Sequence, residues 1–326
     1  MKTSLIRLAT ITLAAAVTLG AAACSNEPVP TPTPTTASAI KVTDNNGEHD
    51  VSIPPKAVAV TDNRVFQTLA DWGIEPVAAP ITLIPSTVKF ANQDSIADLG
   101  SHTAPTLETI VVANPDLIIN GQRFTQHAEK LAEYAPDAVL LNFDPRDGEP
   151  LDSELKRATS ALGEIFGKQS EAKKLSDELD KALARVIKAY NPNDTVMAIN
   201  SSGGKIGYIA PTKGRTLGPI FDLVGLTPAL TVDGASDNHK GDEINAEAIA
   251  ASNPTWILVL DRDAAFGEAD YVPAAKVIEN TPELANVTAI KEGNIVYMPA
   301  DTYVNESIQT YTKFLNDFAD ALEAAK

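Results

Sequence analysis

The chain has 326 residues, 26 Lys+Arg against 43 Asp+Glu, a formal net charge of −17, 44% apolar residues and a single cysteine. That length and apolar content exclude a disordered tail and a disulfide-stapled miniprotein, and they leave room for two packed lobes. The acidic balance argues against a general nucleic-acid binder, because a phosphate backbone rewards a basic surface. It leaves open an anionic small ligand, which responds to a few local arginines more than to the distant total.

Residues 1–23 hold Lys2 and Arg7, no acid, an apolar stretch from Leu8 to Gly20 and then Ala21-Ala22-Ala23. A basic start, an apolar centre and a small-residue end make a signal peptide. Cys24 stands where a bacterial lipoprotein signal is cut and lipidated; a cleaved, unlipidated signal is the alternative. A transmembrane anchor fits less well, since the run is interrupted by threonines and short against the ~20 residues of a span. Residues 24–39 carry prolines at 28, 30, 32 and 34, a composition that favours an extended, semi-rigid tether.

The body opens with a hairpin signal, IKVTDNNGEHDVSI, in which Asn46-Gly47 is the expected turn. The pattern then predicts a strand at 58–60, a helix at 63–71, a helix from Leu107, a strand at 116–120, a helix at 127–134 and a strand at 138–142. After Tyr190 it predicts strands at 194–200, 205–210, 255–261 and 294–298, and helices at 216–224, 245–252, 274–280 and 305–324. Alternation of this kind predicts an α/β fold with mainly parallel sheets. Between the two series, residues 168–190 place Ala172, Leu175, Leu179, Ala182, Leu183, Val186, Ile187 and Tyr190 on one helical stripe. A helix of that length covers roughly 34 Å. It is either a crossover within one sheet or a strut joining two lobes. The strut reading divides the chain into an N-terminal lobe (40–167), a spanning helix (168–190) and a C-terminal lobe (191–326).

An internal echo favours two related lobes. LETIVVANPDLIINGQR (107–123) and AEAIAASNPTWILVLDR (246–262) keep one constant offset. Glu108 matches Glu247, Asn114-Pro115 matches Asn253-Pro254, and Arg123 matches Arg262. Each unit reads as a capped helix, an Asn-Pro stop and a buried strand ending in an arginine. Ligands of open parallel sheets bind beyond the carboxyl ends of the strands, so both arginines belong on binding rims. The competing reading of each is a solvated group or an ion pair, for Arg262 with Asp261 or Asp263. Glu108 and Glu247 fall in the first turns of matching helices, behind the expected N-caps Thr106 and Asn245.

From about Ile40 to the end the chain resembles the ferric-siderophore-binding lipoproteins of bacterial ABC importers, in particular the catecholate binders of the enterochelin and petrobactin type. The stretches that carry the resemblance are LETIVVANPDLIINGQR, YIAPTKGRTLGPIFDLVGL, HKGDEINAEAIAASNPTWILVLDRD and EGNIVYMPADTY. It implies a class III solute-binding fold: two α/β lobes, each with a mainly parallel sheet flanked by helices, bridged by one long helix over a shallow cleft. It also implies a monomeric receptor with no catalysis and no intrinsic cofactor. Such a receptor is lipid-anchored on the outer face of the cell membrane and delivers a ferric siderophore to an ABC permease.

Carried over by residue, the resemblance implies ligand-binding roles for Arg123, Arg215 and Arg262. Arg262 matches without a shift and is the strongest of the three on sequence. Arg123 follows Gly121-Gln122 where the family commonly has Gly-Arg-Gln, and Arg215 sits in a loop one residue longer. His239 and Tyr303 correspond to groups that can bind iron directly when a tetradentate siderophore leaves two positions open, and Glu108 and Glu247 to permease-docking acids. Arginine suits a ferric tris-catecholate because its planar fork donates several hydrogen bonds while staying charged. A haem or corrinoid receptor is the alternative within the binding class, and a cell-envelope enzyme on the same frame is the alternative outside it. His49, His102, His127 and His239 show no paired metal spacing.

Overall fold

The computed structural model describes residues 38–91, 93–267 and 269–326. Cys24, the signal-like segment and almost all of the proline-rich stretch lie outside the described residues. No helix among the described residues is long and apolar enough to cross a membrane.

The N-terminal series comprises β1 (Ser38–Thr43), β2 (Glu48–Ile53), β3 (Val58–Val60), α1 (Phe66–Asp71), β4 (Ala78–Ala79), β5 (Ala97–Asp98), β6 (Gly100–Ser101), β7 (Ala104–Pro105), α2 (Thr109–Ala113), β8 (Leu117–Asn120), α3 (Ala128–Tyr134), β9 (Val139–Asn142) and α4 (Leu151–Phe166). Its main sheet runs β5-β4-β3-β8-β9, with every pair parallel. After α5 (Gln169–Ala189) come β10 (Thr195–Ser202), β11 (Lys205–Ile209), α6 (Gly218–Val224), β12 (Thr227–Pro228), β13 (Asp242–Glu243), α7 (Ala246–Ser252), β14 (Trp256–Asp261), α8 (Ala274–Glu279), α9 (Thr288–Glu292), β15 (Ile295–Tyr297) and α10 (Ile308–Ala324). Here the order is β13-β11-β10-β14-β15, with β12 also on β10. The β10–β14 and β14–β15 pairs are parallel, whereas β10–β11 and β11–β13 are antiparallel. The second sheet is therefore mixed, because the Gly203-Gly204 turn, with φ of 59° and 70°, folds β11 straight back on β10.

Strand periodicity builds a core on each face. Val58, Val60, Leu117 and Ile119 point into one cluster of the first sheet, and Ala59 and Ile118 into the opposite one. On the second sheet Val196, Ala198, Leu258 and Leu260 face α5, α6 and α10, while Met197, Ile199, Ile257 and Val259 face α7 and α8. Leu179, Ala182, Val186 and Ala189 of α5 join the core of the second sheet, and Ala172 abuts Gly163 of α4. Ile187 leaves the expected stripe and is 50% exposed.

Helix α4, unassigned by the sequence pattern, buries Leu155, Leu162 and Ile165. The first hairpin turns over Asp44–Gly47, wider than Asn46-Gly47 alone. The Asp44 carboxylate accepts from the backbone N–H of Asn46 and Gly47 and also from that of Asn142 on the main sheet. The largest delays against the predicted helix starts are at α1 and α10. Helix α1 begins at Phe66 because Asp62 accepts from the Arg64 N–H in a preceding turn, and α10 begins at Ile308 because Ser307 caps it, accepting from the Thr310 N–H. In both cases the residues left out of the helix line the site described next.

The internal echo has a conformational counterpart. Asn114 and Asn253 both end their helices at φ 43°, and both are followed by proline. The capping differs between the copies. Asn245 accepts from the Ala248 N–H at 2.8 Å; Thr106 does not cap α2, and its hydroxyl instead donates to the Asp98 carbonyl. Glu108 takes the N-cap place of a helix only five residues long, whereas Glu247 lies inside the first turn of α7.

Candidate functional site

Strands β8 and β14 end at Asn120 and Asp261, and the chain beyond each carries an arginine toward one ring. The guanidinium carbon of Arg123 lies 4.7 Å from the Tyr303 ring centroid, that of Arg262 4.6 Å and that of Arg215 5.0 Å. Tyr303 belongs to a 3-10 turn, Thr302–Val304, and is 5% exposed. Burial pushes its phenol up, but hydrogen bonding from Arg123 and Arg262 and the charges around it outweigh burial and hold it below the usual phenol value.

The three cations have different partners. Arg215 makes a two-point pair with Glu306, Nε to Oε1 at 3.2 Å and Nη2 to Oε2 at 3.0 Å. Arg262 donates to Asp263 at 2.6 Å, so the alternative ion-pair reading of this residue is realised with Asp263 rather than Asp261. Among the described residues Arg123 has no carboxylate partner and donates to neutral acceptors, among them the Gln122 amide at 2.8 Å, the Tyr303 carbonyl at 3.0 Å and the Asn63 amide at 3.5 Å. A half-buried cation without a carboxylate partner carries a desolvation cost, and an anionic ligand would offset that cost.

Glu306 gave no sequence signal, since it is one acid ahead of a helix cap. It is 4% exposed and accepts from Arg215, from the Thr216 hydroxyl at 2.5 Å and from the Gln122 amide. Gln122 and Thr216 have φ of 49° and 71°, in the left-handed region that non-glycine residues, and β-branched ones above all, seldom adopt. The Gly121-Gln122-Arg123 order thus has a geometric role: Gln122 reaches Glu306 and leaves Arg123 to reach Tyr303. Gly121 is required because a Cβ there would meet the Asp62 carboxylate. Beside this cluster a cavity of about 420 Å³ opens among Arg64, Gln122, Arg123, Arg215 and Glu306. A larger groove of about 540 Å³ between β11 and α7 contains none of these arginines.

His239 is exposed, on a loop whose backbone is held by the Asn200 amide donating to its carbonyl. Partial burial and the charges of Arg262, Arg215, Lys240 and Arg123 keep its imidazole below its usual value, favouring the neutral form. Two further groups belong to this neighbourhood and lay outside every sequence motif. His102, in the short β6–β7 hairpin, is lowered by partial burial and by the charges of Arg123, His127 and Arg215; its Nδ1 is buried and has no partner among the described residues. Phe266 packs edge-to-face on Tyr303. Glu108 and Glu247 are exposed, and a Tyr134 hydroxyl donates to Glu108 at 3.4 Å.

The buried carboxyls set a pH profile. Burial pushes Asp62 up to about 6 against the charge of Arg64, with Asp144 and Glu306 adding to the rise. In Glu306, burial is outweighed by Arg215 and Arg64, and the carboxyl is held at about 2. Asp62 binds its proton more tightly when folded, so its contribution is full below the unfolded value and is lost as pH rises through about 6. Glu306 contributes above its unfolded value and is lost as pH falls toward about 2. The thermal midpoint is therefore expected to peak near pH ~4–5, and Asp62→Asn should flatten the alkaline side. A wild-type midpoint that rises steadily from pH 5 to 8 contradicts this.

A family model described as periplasmic binding protein matches residues 58–302. The petrobactin-binding protein YclQ of Bacillus subtilis is 30% identical over 285 residues, covering 86% of each chain. The ferric-anguibactin-binding protein FatB of Vibrio anguillarum is 28% identical over 284 residues, covering 85% of each. The crystal structure of YclQ superimposes with a TM-score of 0.73 at 26% identity, covering 88% of this chain and 99% of that one. The periplasmic catecholate-siderophore-binding protein VctP of Vibrio cholerae shares the fold, with a TM-score of 0.74 at 21% identity over 88% of this chain and all of that one. The mixed α/β architecture is the class III solute-binding fold that the sequence resemblance implies, and the chain belongs to the periplasmic binding protein family.

Proposed function

We propose that this protein captures a ferric siderophore of the catecholate type and delivers it to an ABC permease for iron uptake, acting as a receptor and not as an enzyme. The observation that carries the reading is the convergence of Arg123, Arg215 and Arg262 on Tyr303. Three guanidinium groups around one ring offer directed donors to the oxygen face of an anionic chelate. The names of its relatives, which bind petrobactin and ferric anguibactin, support the same ligand class. Where the chelator fills only four iron positions, the His239 imidazole and the Tyr303 phenolate are the groups to complete the shell; the lowered values of both favour the metal-binding forms. Titration of the purified protein with ferric catecholates, ferric hydroxamates, ferric citrate and haem tests the reading. Tightest binding of a ferric catecholate is expected, and tightest binding of haem overturns it.

Lipidation at Cys24 is proposed to hold the receptor at the outer face of the cell membrane, with residues 24–39 as its tether, 40–167 and 191–326 as its lobes, 168–190 as the spanning helix and the monomer as its working state. Glu108 and Glu247, exposed at matching places of the repeat, are proposed to meet permease arginines. Reversing both charges should abolish uptake into cells while leaving ferric-chelate affinity within about twofold; unimpaired uptake by the double variant removes the docking role. Acids at a helix start are favoured by the dipole, by about 0.3–1 kcal/mol, whatever their partner, so the uptake measurement separates the two roles.

A further inference from the structure

We propose that Phe266 is a specificity-determining residue of the cleft, an aromatic wall that selects chelators with aromatic iron-binding rings over aliphatic ones; this rests on the ferric-chelate reading above. The large apolar side chains exposed among the described residues are Val111, Val112, Ile187, Val232, Val272 and Phe266, of which Phe266 alone is aromatic, at 39% exposure. It closes the 3-10 turn Asp263–Ala265 that directly follows Arg262. Its ring meets Tyr303 edge-to-face, with centroids 5.7 Å apart and planes at 67°. The Arg262 guanidinium carbon is 5.5 Å from the Phe266 centroid and 4.6 Å from that of Tyr303. The cation is thus set in a corner between two rings.

An anion that takes the donors of Arg262 must come to rest beside the open part of Phe266. What the neighbour gains depends on the ligand's chemistry. Any ligand covers apolar surface and gains by area. A catecholate adds a ring whose electron-rich face pairs with the electropositive edge of another ring, a geometry aromatic pairs prefer and that adds to area burial. A citrate or hydroxamate chelate has no ring to offer, so it gains only the area contribution. Phe266 sits in the part of the cleft where this difference is felt and, being partly exposed, carries little of the core.

The test compares the affinities of a ferric catecholate with those of a ferric hydroxamate and ferric citrate for the wild type, Phe266→Ala, Phe266→Leu and Phe266→Tyr, with thermal melts to verify folding. The ratio of catecholate to aliphatic affinity is expected to fall about tenfold in Phe266→Ala, to fall nearly as far in Phe266→Leu, which keeps apolar area without a ring, and to survive in Phe266→Tyr. An unchanged ratio in Phe266→Ala, whether all affinities hold or all fall together, overturns the proposal, as does full recovery in Phe266→Leu. Those outcomes leave the functional reading intact. A wild type that binds no ferric complex overturns both.

Discussion

Arg123→Ala is expected to weaken ferric-catecholate binding by roughly 10- to 150-fold, the equivalent of one charge-assisted interaction of about 1.5–3 kcal/mol at 1.4 kcal/mol per decade. Removing any of the three arginines takes one positive charge from the cleft, but the screening differs. Arg262 already faces Asp263, whereas Arg123 has no carboxylate partner among the described residues. Asp263 offsets part of the charge that Arg262 presents to a ligand, whereas the charge of Arg123 is not offset by a paired carboxylate. Arg123→Ala should therefore exceed Arg262→Ala, the reverse of the order suggested by sequence alone, where Arg262 leads because its segment matches without a shift. Arg123→Lys should recover only part of the loss, since a lysine cannot reproduce the planar fork held between Gln122 and the Tyr303 carbonyl. Calorimetric titration of the three variants decides the order, and unchanged affinity in Arg123→Ala would sink the anionic-chelate reading.

Glu306→Ala is expected to cost about 3–5 kcal/mol of folding stability, the usual consequence of deleting one member of a buried ion pair, and to lower the thermal midpoint by roughly 10 °C. The loss has three sources. Arg215 is left charged and three-quarters buried, its side chain being 24% exposed. Thr216 and Gln122 lose the acceptor that helps hold them in the left-handed region. The link from Gln122, beyond the first sheet, to Arg215 and Thr216, between β11 and α6, is cut. Glu306→Gln keeps the shape and one acceptor oxygen, so a smaller loss is expected. Because the carboxyl is ionised down to about pH 2 in the folded chain, the difference between wild type and Glu306→Ala should be full above pH ~4.5 and shrink as the solution is acidified. Denaturant or thermal unfolding within 1 kcal/mol of wild type would show that Glu306 is not the keystone of the cluster.

The alternation of β-rich and helical segments, the period-2 and period-3.6 patterns and the repeated Asn-Pro unit are local properties of neighbouring residues, so the α/β class and most elements were legible in the chain. The same locality placed Arg123 and Arg262 at equivalent strand ends, because a strand followed by a polar turn fixes where its last side chains emerge. Locality also explains the errors. Asn63, Arg64 and Glu306 lie in runs that read as helix starts, and bonds to Arg123, Asp144 and Arg215 hold them outside the helices instead. Thr106 reads as a cap until the Asp98 carbonyl, which takes its hydroxyl, is in view. Whether an arginine faces a carboxylate or a neutral amide, and whether His102 and Phe266 stand beside it, depends on residues far apart in sequence brought within a few ångströms. The sequence by itself determined the fold class, the repeat and the place of Arg123 and Arg262 after matching strands. Only the tertiary structure decided the charge balance of the cleft, because the energy of an ion depends on the distance and burial of its partners, and neither is a property of a chain segment alone.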